Sequence, residues 1–195
     1  MSTMRTRGAG PFGSVVIVVL TVTACGAAPA PRAPEPSAAF TTLVGAVSDR
    51  LATADTVAAS KWSSHGAVED PAREQVVLDA AAAGAKARGL DPALVASVFR
   101  DQIQASKVVQ YGLLEDWTAE PAGAPAAAPD LASIRPVLDG VTPRLLDALA
   151  ATSTARTDGS CTAQRGSADE QAVTSRGWDA LHRRGLERAM RSICG

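Results

Sequence analysis

The chain has 195 residues, a formal net charge of -1, and a hydrophobic fraction of 46% with only 4% aromatics. That length supports one ordinary domain and not two, and the near-neutral balance excludes a general field for nucleic acid, so any basic site is local. The apolar residues are largely alanine, which favours small-residue helix packing over a strand-rich core.

In chain order, Arg5 and Arg7 precede the apolar run Val15–Leu20, which stops near Ala24. A charged stretch followed by a short apolar one reads as an export signal over residues 1–24, and the run is too short to span a membrane comfortably. Residues 25–37 are rich in Ala and Pro and read as a tether with no core to bury. Cys25 follows Val22-Thr23-Ala24 and precedes Gly26. That sequence resembles the lipobox of bacterial lipoproteins, in which the cysteine is lipidated and becomes the first residue of the mature chain. An ordinary signal cut a few residues later stays open beside it. Either way Cys161 and Cys194 are left, and in an exported chain two such cysteines pair as a disulfide. Membrane contact is expected only through a lipid on Cys25. His65 and His182 stand in no recognisable zinc spacing with the cysteines, so no metal site is expected.

A first helix is expected from Ser37 or Thr41 to about Trp62, ended by Ser63, Ser64, His65 and Gly66. Asp70-Pro71 opens a second, with Asp suited to the N-cap and Pro to the first helical position, and Gly89 stops it. Asp91-Pro92 repeats that signal for a third helix running to about Trp117. Pro121 to Pro129 is a Pro/Ala-rich connector. A fourth segment runs from Asp130 or Ser133 to about Ala151, with Pro136 or Pro143 expected to kink or divide it. Ser167-Ala168-Asp169-Glu170 resembles a capping box opening a last helix that ends at Cys194. No period-two alternation appears, so the fold class is all-α, a single helical domain over residues 38–195 with about five to six helices.

The first three helices carry apolar stripes with polar groups set into them. Leu43, Val47, Arg50, Ala54, Val57 and Lys61 step by four and three along the first. Arg73, Val77, Ala80, Gly84 and Ala87 do so along the second, and Phe99, Ile103, Ser106, Gln110, Leu113 and Trp117 along the third. Such stripes point inward. Any one of the polar residues alone is ordinary, since Arg and Lys snorkel from stripe edges. Together they put several cations inside with few inward carboxylates to meet them, and buried unpaired cations are costly. A small, multiply anionic ligand supplies the missing partner.

These residues carry a resemblance. Arg50 with Lys61-Trp62, then Glu69-Asp70-x-x-Arg73, then Asp91-Pro92, then Val98-Phe99-x-Asp101-Gln102-Ile103-x-Ala105-Ser106-x-x-x-Gln110-Tyr111, resemble the all-helical chorismate mutases. The exported subclass fits best, with its C-terminal helical extension, an arginine after a Pro-rich connector, here Arg135, and a disulfide. The resemblance covers roughly Phe40 to Cys194. It implies catalytic helices over residues 38–118, C-terminal helices over 130–195, and rearrangement of chorismate to prephenate with no cofactor. It implies that Arg50, Arg73 and Arg135 hold the two carboxylates with help from Ser106. Lys61 and Gln110 would meet the ether oxygen, and Asp70 and Glu74 the ring hydroxyl. It also implies a homodimer and an exported location, whether periplasmic, envelope-bound or secreted. A non-catalytic helical lipoprotein binding an anionic ligand or a partner protein is the alternative.

Four positions depart from the pattern of relatives. Some secreted members carry Thr and Glu at the places of Ser106 and Gln110, and some have a polar contact where this chain has Val77. Pro136 disfavours helical geometry at Arg135, so Arg135 is expected at a helix entry.

Overall fold

The structure is a computed structural model that describes residues 35–127 and 130–194. The expected export signal over residues 1–24, Cys25 and most of the expected tether lie outside the described residues. Among the described residues all regular elements are helical: α1 (Ala38–Leu51), α2 (Thr53–Ser64), α3 (Pro71–Lys86), α4 (Pro92–Ala119), α5 (Leu131–Ala151), α6 (Ser153–Thr157), α7 (Cys161–Arg176) and α8 (Ala180–Ala189), with one 3-10 turn at Pro121–Gly123. The start signals work as their chemistry requires. Asp70, Asp91 and Asp130 each accept a backbone N–H of the first turn, and Pro71 and Pro92 open α3 and α4. Such caps contribute about 1 kcal/mol each. Gly89 ends the second segment in the left-handed region at φ 65°, while the N–H of Leu90 returns to the Ala85 carbonyl at 3.1 Å.

The division is finer than the sequence suggested, for local reasons. Thr53 Oγ1 donates to the Arg50 carbonyl at 2.7 Å, a side-chain bond that competes with the helical ladder and separates α1 from α2. Only Ala52 lies between them, so the stripe through Arg50, Val57 and Lys61 stays in register. The last stretch does not open at Ser167. It opens at Cys161, stops at Gly177 in the left-handed region (φ 62°), and restarts at α8, where Asp179 accepts the His182 N–H. Neither proline divides α5. Each lacks the N–H that would meet the carbonyl four residues back, and the helix continues because Val141, Leu145, Leu146 and Leu149 anchor it in the core. Arg135 is the fifth residue of α5, inside the helix and not at its entry.

The stripe on α3 is also corrected. Ala80 and Ala87 are exposed, and Ala81 and Ala85 are the buried residues. Steps of four and three average 3.5 residues, whereas a straight helix turns in 3.6, so the inward line drifts by about 20° per heptad.

Helix α4 packs against α1, α2, α3 and α8, so the others are positioned around it. Gly112 lets α8 come close, since a Cβ there would sit 2.5 Å from Leu181 Cδ1, and Gly84 does the same for α3 against Leu146 of α5. The C-terminal half is fixed by polar contacts as well. Buried Asp101 accepts from Arg188, from the Ser192 N–H at 3.0 Å and from its hydroxyl at 2.6 Å. Gln102 Nε2 donates to the Ala189 carbonyl at 3.0 Å. Cys161 and Cys194 are joined in a disulfide with Cα atoms 5.9 Å apart, as the cysteine count led one to expect. Closing that loop contributes about 3–4 kcal/mol on the chain-entropy account.

Candidate active site

A cavity of about 200 Å³ opens between α2, α3, α4 and the start of α5, with the end of α1 beneath it. All eight ligand-facing residues named from the sequence line it: Arg50, Lys61, Asp70, Arg73, Glu74, Ser106, Gln110 and Arg135. The apolar wall comes from Val57, Val68, Val77, Ile103, Ile134 and Leu138, with Leu131 at one edge.

Arg50 is 8% exposed, held inward by the stripe of α1. Burial, and then the charge of Arg73, bring its pKa down to about 10, and its Nε has no hydrogen-bond partner among the described residues. Lys61 stands three turns further along the same face. Its Nζ donates to the Val68 carbonyl at 2.7 Å. Burial lowers its pKa below the ordinary lysine value, with Asp70 and Glu69 opposing. Arg73 reaches towards Asp139 of α5 at 3.9 Å, and Arg135 is exposed on the cavity's rim.

Gln110 is 5% exposed on α4. Its Nε2 donates to Ser106 Oγ at 2.9 Å, and its Oε1 is buried without a partner among the described residues. Turned through 180°, the same amide accepts from the Ser106 hydroxyl and presents an N–H in place of the unpartnered oxygen. Asp70 is engaged as the N-cap of α3, where Oδ1 accepts from the Arg73 N–H at 3.0 Å. Its own N–H donates to Glu74 Oε1 at 3.4 Å.

One charged lining residue escaped the sequence reading. Lys107, 9% exposed, contacts Glu69 and lies 2.8 Å from Glu74 Oε1. Burial works against its charge, but hydrogen bonds to Glu69 and Glu74 outweigh it and raise the pKa above the ordinary lysine value. Tyr111 donates to Glu69 Oε1 at 2.9 Å. The sequence held a signal for Lys107: Ile103, Lys107 and Gln110 also step by four and three, so two adjacent lines of α4 face inward here.

The lining therefore sets five cationic side chains against two carboxylates inside apolar walls. Such a site suits a compact ligand with more than one negative charge. Arginine forks match carboxylates in two-point pairs, and the dry walls strengthen each pair.

The chain has counterparts among known proteins. The family profile for chorismate mutase type II matches residues 41–111, a span that holds every pocket residue above except those of α5. The chain is 39% identical over 152 residues to the secreted chorismate mutase of Mycolicibacterium smegmatis, covering 78% of this chain and 84% of that protein. Against the secreted chorismate mutase of Mycobacterium tuberculosis it is 36% identical over 152 residues, covering 78% and 76%. The crystal structure of a chorismate mutase from Burkholderia phymatum superposes with a TM-score of 0.77 at 39% identity, over 80% of this chain and 96% of that one.

Proposed function

The chain belongs to the type II chorismate mutases, and on that premise we propose that its pocket converts chorismate to prephenate. The rearrangement is intramolecular. One C–O bond breaks as one C–C bond forms, and no proton, electron or group is exchanged with the protein. Catalysis then consists of holding the folded, chair-like conformer and stabilising the charge that separates as the ether bond opens.

Arg50, Arg73 and Arg135 take the two carboxylates, while the single Ser106 proton is used to hold Gln110. Lys61 and Gln110 donate to the ether oxygen, where negative charge develops. Lys61 exchanges the Val68 carbonyl for the substrate, and Gln110 turns its amide so that Ser106 donates to Oε1. Glu74 meets the ring hydroxyl, with Asp70 behind it, its carboxylate engaged in its cap and its N–H on Glu74 Oε1. The observation that carries this reading is the pair of unsatisfied buried atoms, Arg50 Nε and Gln110 Oε1, in residues that line one cavity. Buried polar groups without partners are costly, and a ligand relieves them. An anion-binding protein would need the cations, but not an amide beside Lys61.

Prephenate formation by the purified chain lacking residues before Ser37 tests this, beside Arg73→Ala and Gln110→Ala. The wild type turns over, Gln110→Ala loses about 10²–10³ in kcat, and Arg73→Ala loses a similar factor in kcat/KM. A folded, disulfide-intact wild type without turnover would refute the assignment.

Export of the chain is supported by the relatives named secreted. A lipid on Cys25 rests on the lipobox-like Val22-Thr23-Ala24-Cys25 alone. An exported chain whose mass lacks a diacylglycerol would exclude the anchor. A homodimer rests on the resemblance alone, and sedimentation at the mass of one chain would exclude it.

A further inference from the structure

The search centred on charged groups that line the pocket without a role in the reaction as proposed. Lys107 is one. It is almost fully buried on α4, between Ser106 and the Gln110 turn, and its ammonium is committed to Glu69 and Glu74. Behind it, Tyr111 donates to the other oxygen of Glu69. Glu69 and Glu74 come from opposite sides of the start of α3, Glu69 from the loop before it and Glu74 from its first turns. Lys107 thus pins both sides of that helix start to α4.

The geometry at Glu74 gives this a consequence. Both contacts of its carboxylate use Oε1, which receives the Lys107 ammonium at 2.8 Å and the Asp70 N–H at 3.4 Å. Two donors on one oxygen fix the carboxylate plane and leave Oε2 to accept from a ligand. Without Lys107 the weak backbone bond alone would orient Glu74, and the side chain would be free to rotate. The charge of Lys107 does not add to the cations that take substrate carboxylates, because two carboxylates already meet it.

We propose that Lys107, backed by Glu69 and Tyr111, is a positioning residue that aims Glu74 at the substrate's ring hydroxyl and so sets the pocket's preference for hydroxylated substrate. This rests on the reading of Glu74 as the hydroxyl acceptor. Lys107 itself touches neither the breaking nor the forming bond, so its loss acts on binding of one substrate group and leaves the chemical step nearly intact.

The test is kcat and KM for chorismate and for an analogue lacking the ring hydroxyl, in wild type, Lys107→Met, Lys107→Arg and Tyr111→Phe. The wild type should prefer chorismate in kcat/KM. Lys107→Met should raise KM for chorismate about tenfold, the scale of one charged hydrogen bond, with kcat changed less than about threefold and the analogue nearly unaffected. Lys107→Arg should restore the preference, because a second cation can bridge the same two carboxylates. Tyr111→Phe, at an exposed residue that tolerates substitution, should shift it in the same direction by less. Equal losses on both substrates in Lys107→Met would make the residue merely structural and overturn the proposal. A wild type that turns over both substrates equally well would overturn the role of Glu74 and the proposal with it. Absence of any chorismate turnover in the wild type would instead refute the activity.

Discussion

Arg50 illustrates how this protein trades stability for function at a single residue. Its guanidinium is buried, its Nε is unpaired among the described residues, and the charge that acts on it is that of another arginine, Arg73. A cation with its pKa brought down to about 10 is charged in both folded and unfolded chains at neutral pH, so folding bears its desolvation without the anion that would offset it. Arg50→Met keeps the length and removes the charge. It should raise unfolding free energy by about 1–3 kcal/mol and lower kcat/KM at least about 10²-fold. Denaturant unfolding and steady-state kinetics on one preparation check both, and a variant less stable than wild type would contradict this view of the pocket. The same physics explains which site residues were legible. Arg50, Lys61, Ser106 and Gln110 stand out because local periodicity alone sends them inward. Lys107 shares that periodicity, but its partner Glu69 lies 38 residues away, so nothing local separated it from a lysine snorkelling at a stripe edge. Arg135 was visible only through the resemblance, as it is exposed and on no apolar stripe.

At the scale of elements, the Asp-Pro caps were legible, while the capping box read at Ser167 and the interruptions were not. Asp-Pro at 70–71 and 91–92 acts through its own backbone, so sequence suffices. The break at Ala52 turns on one threonine hydroxyl, and the continuity of α5 through two prolines turns on leucines packed against other helices. In α7, Asp169 carries a consequence of its own. Burial pushes its carboxyl up to about 7 from an ordinary 3.8, with Arg165 opposing at 3.6 Å and Glu170 and Glu187 adding to the rise. Below pH 3.8 both states hold the proton. Between there and about 7 the unfolded chain releases it while the native carboxyl keeps it, so native stability falls as pH rises, and above about 7 the loss is complete. Asp169→Asn should match wild type in stability near pH 4 and exceed it by about 1–3 kcal/mol near pH 8. Denaturant unfolding at the two pH values decides, and an equal gap at both would contradict the burial account. His182 acts with the same sign. Burial opposes its charge, but hydrogen bonds to Asp55 and Asp179 raise its pKa above the ordinary value, so its contribution is also lost as pH rises through that raised pKa.

Across the whole molecule, a net charge of -1 coexists with a pocket lined by five cations and two carboxylates. That asymmetry draws a dianion to one place without making the surface sticky to other polyanions. The all-helical class was legible because alanine-rich, 3.6-periodic segments have no competing strand pattern. The disulfide followed from counting cysteines. The way α8 returns onto α4 through Asp101 and Gln102 was not legible, because those contacts join residues 87 or more positions apart. Nothing in a local window announces them.

The central claim is that a neutral amide and a lysine, with no group that titrates near neutrality, stabilise the breaking ether bond. It is tested most directly by kcat for chorismate as a function of pH in wild type and Gln110→Glu. An amide donates at any pH, so wild-type kcat should stay nearly flat from about pH 5 to about pH 8. It should fall only on the alkaline side, where Lys61 loses its proton earlier than an ordinary lysine. Gln110→Glu donates only while protonated, so its kcat should decline as pH rises through that same range. A wild-type kcat that falls steeply there, or a variant whose profile parallels it, would contradict the account.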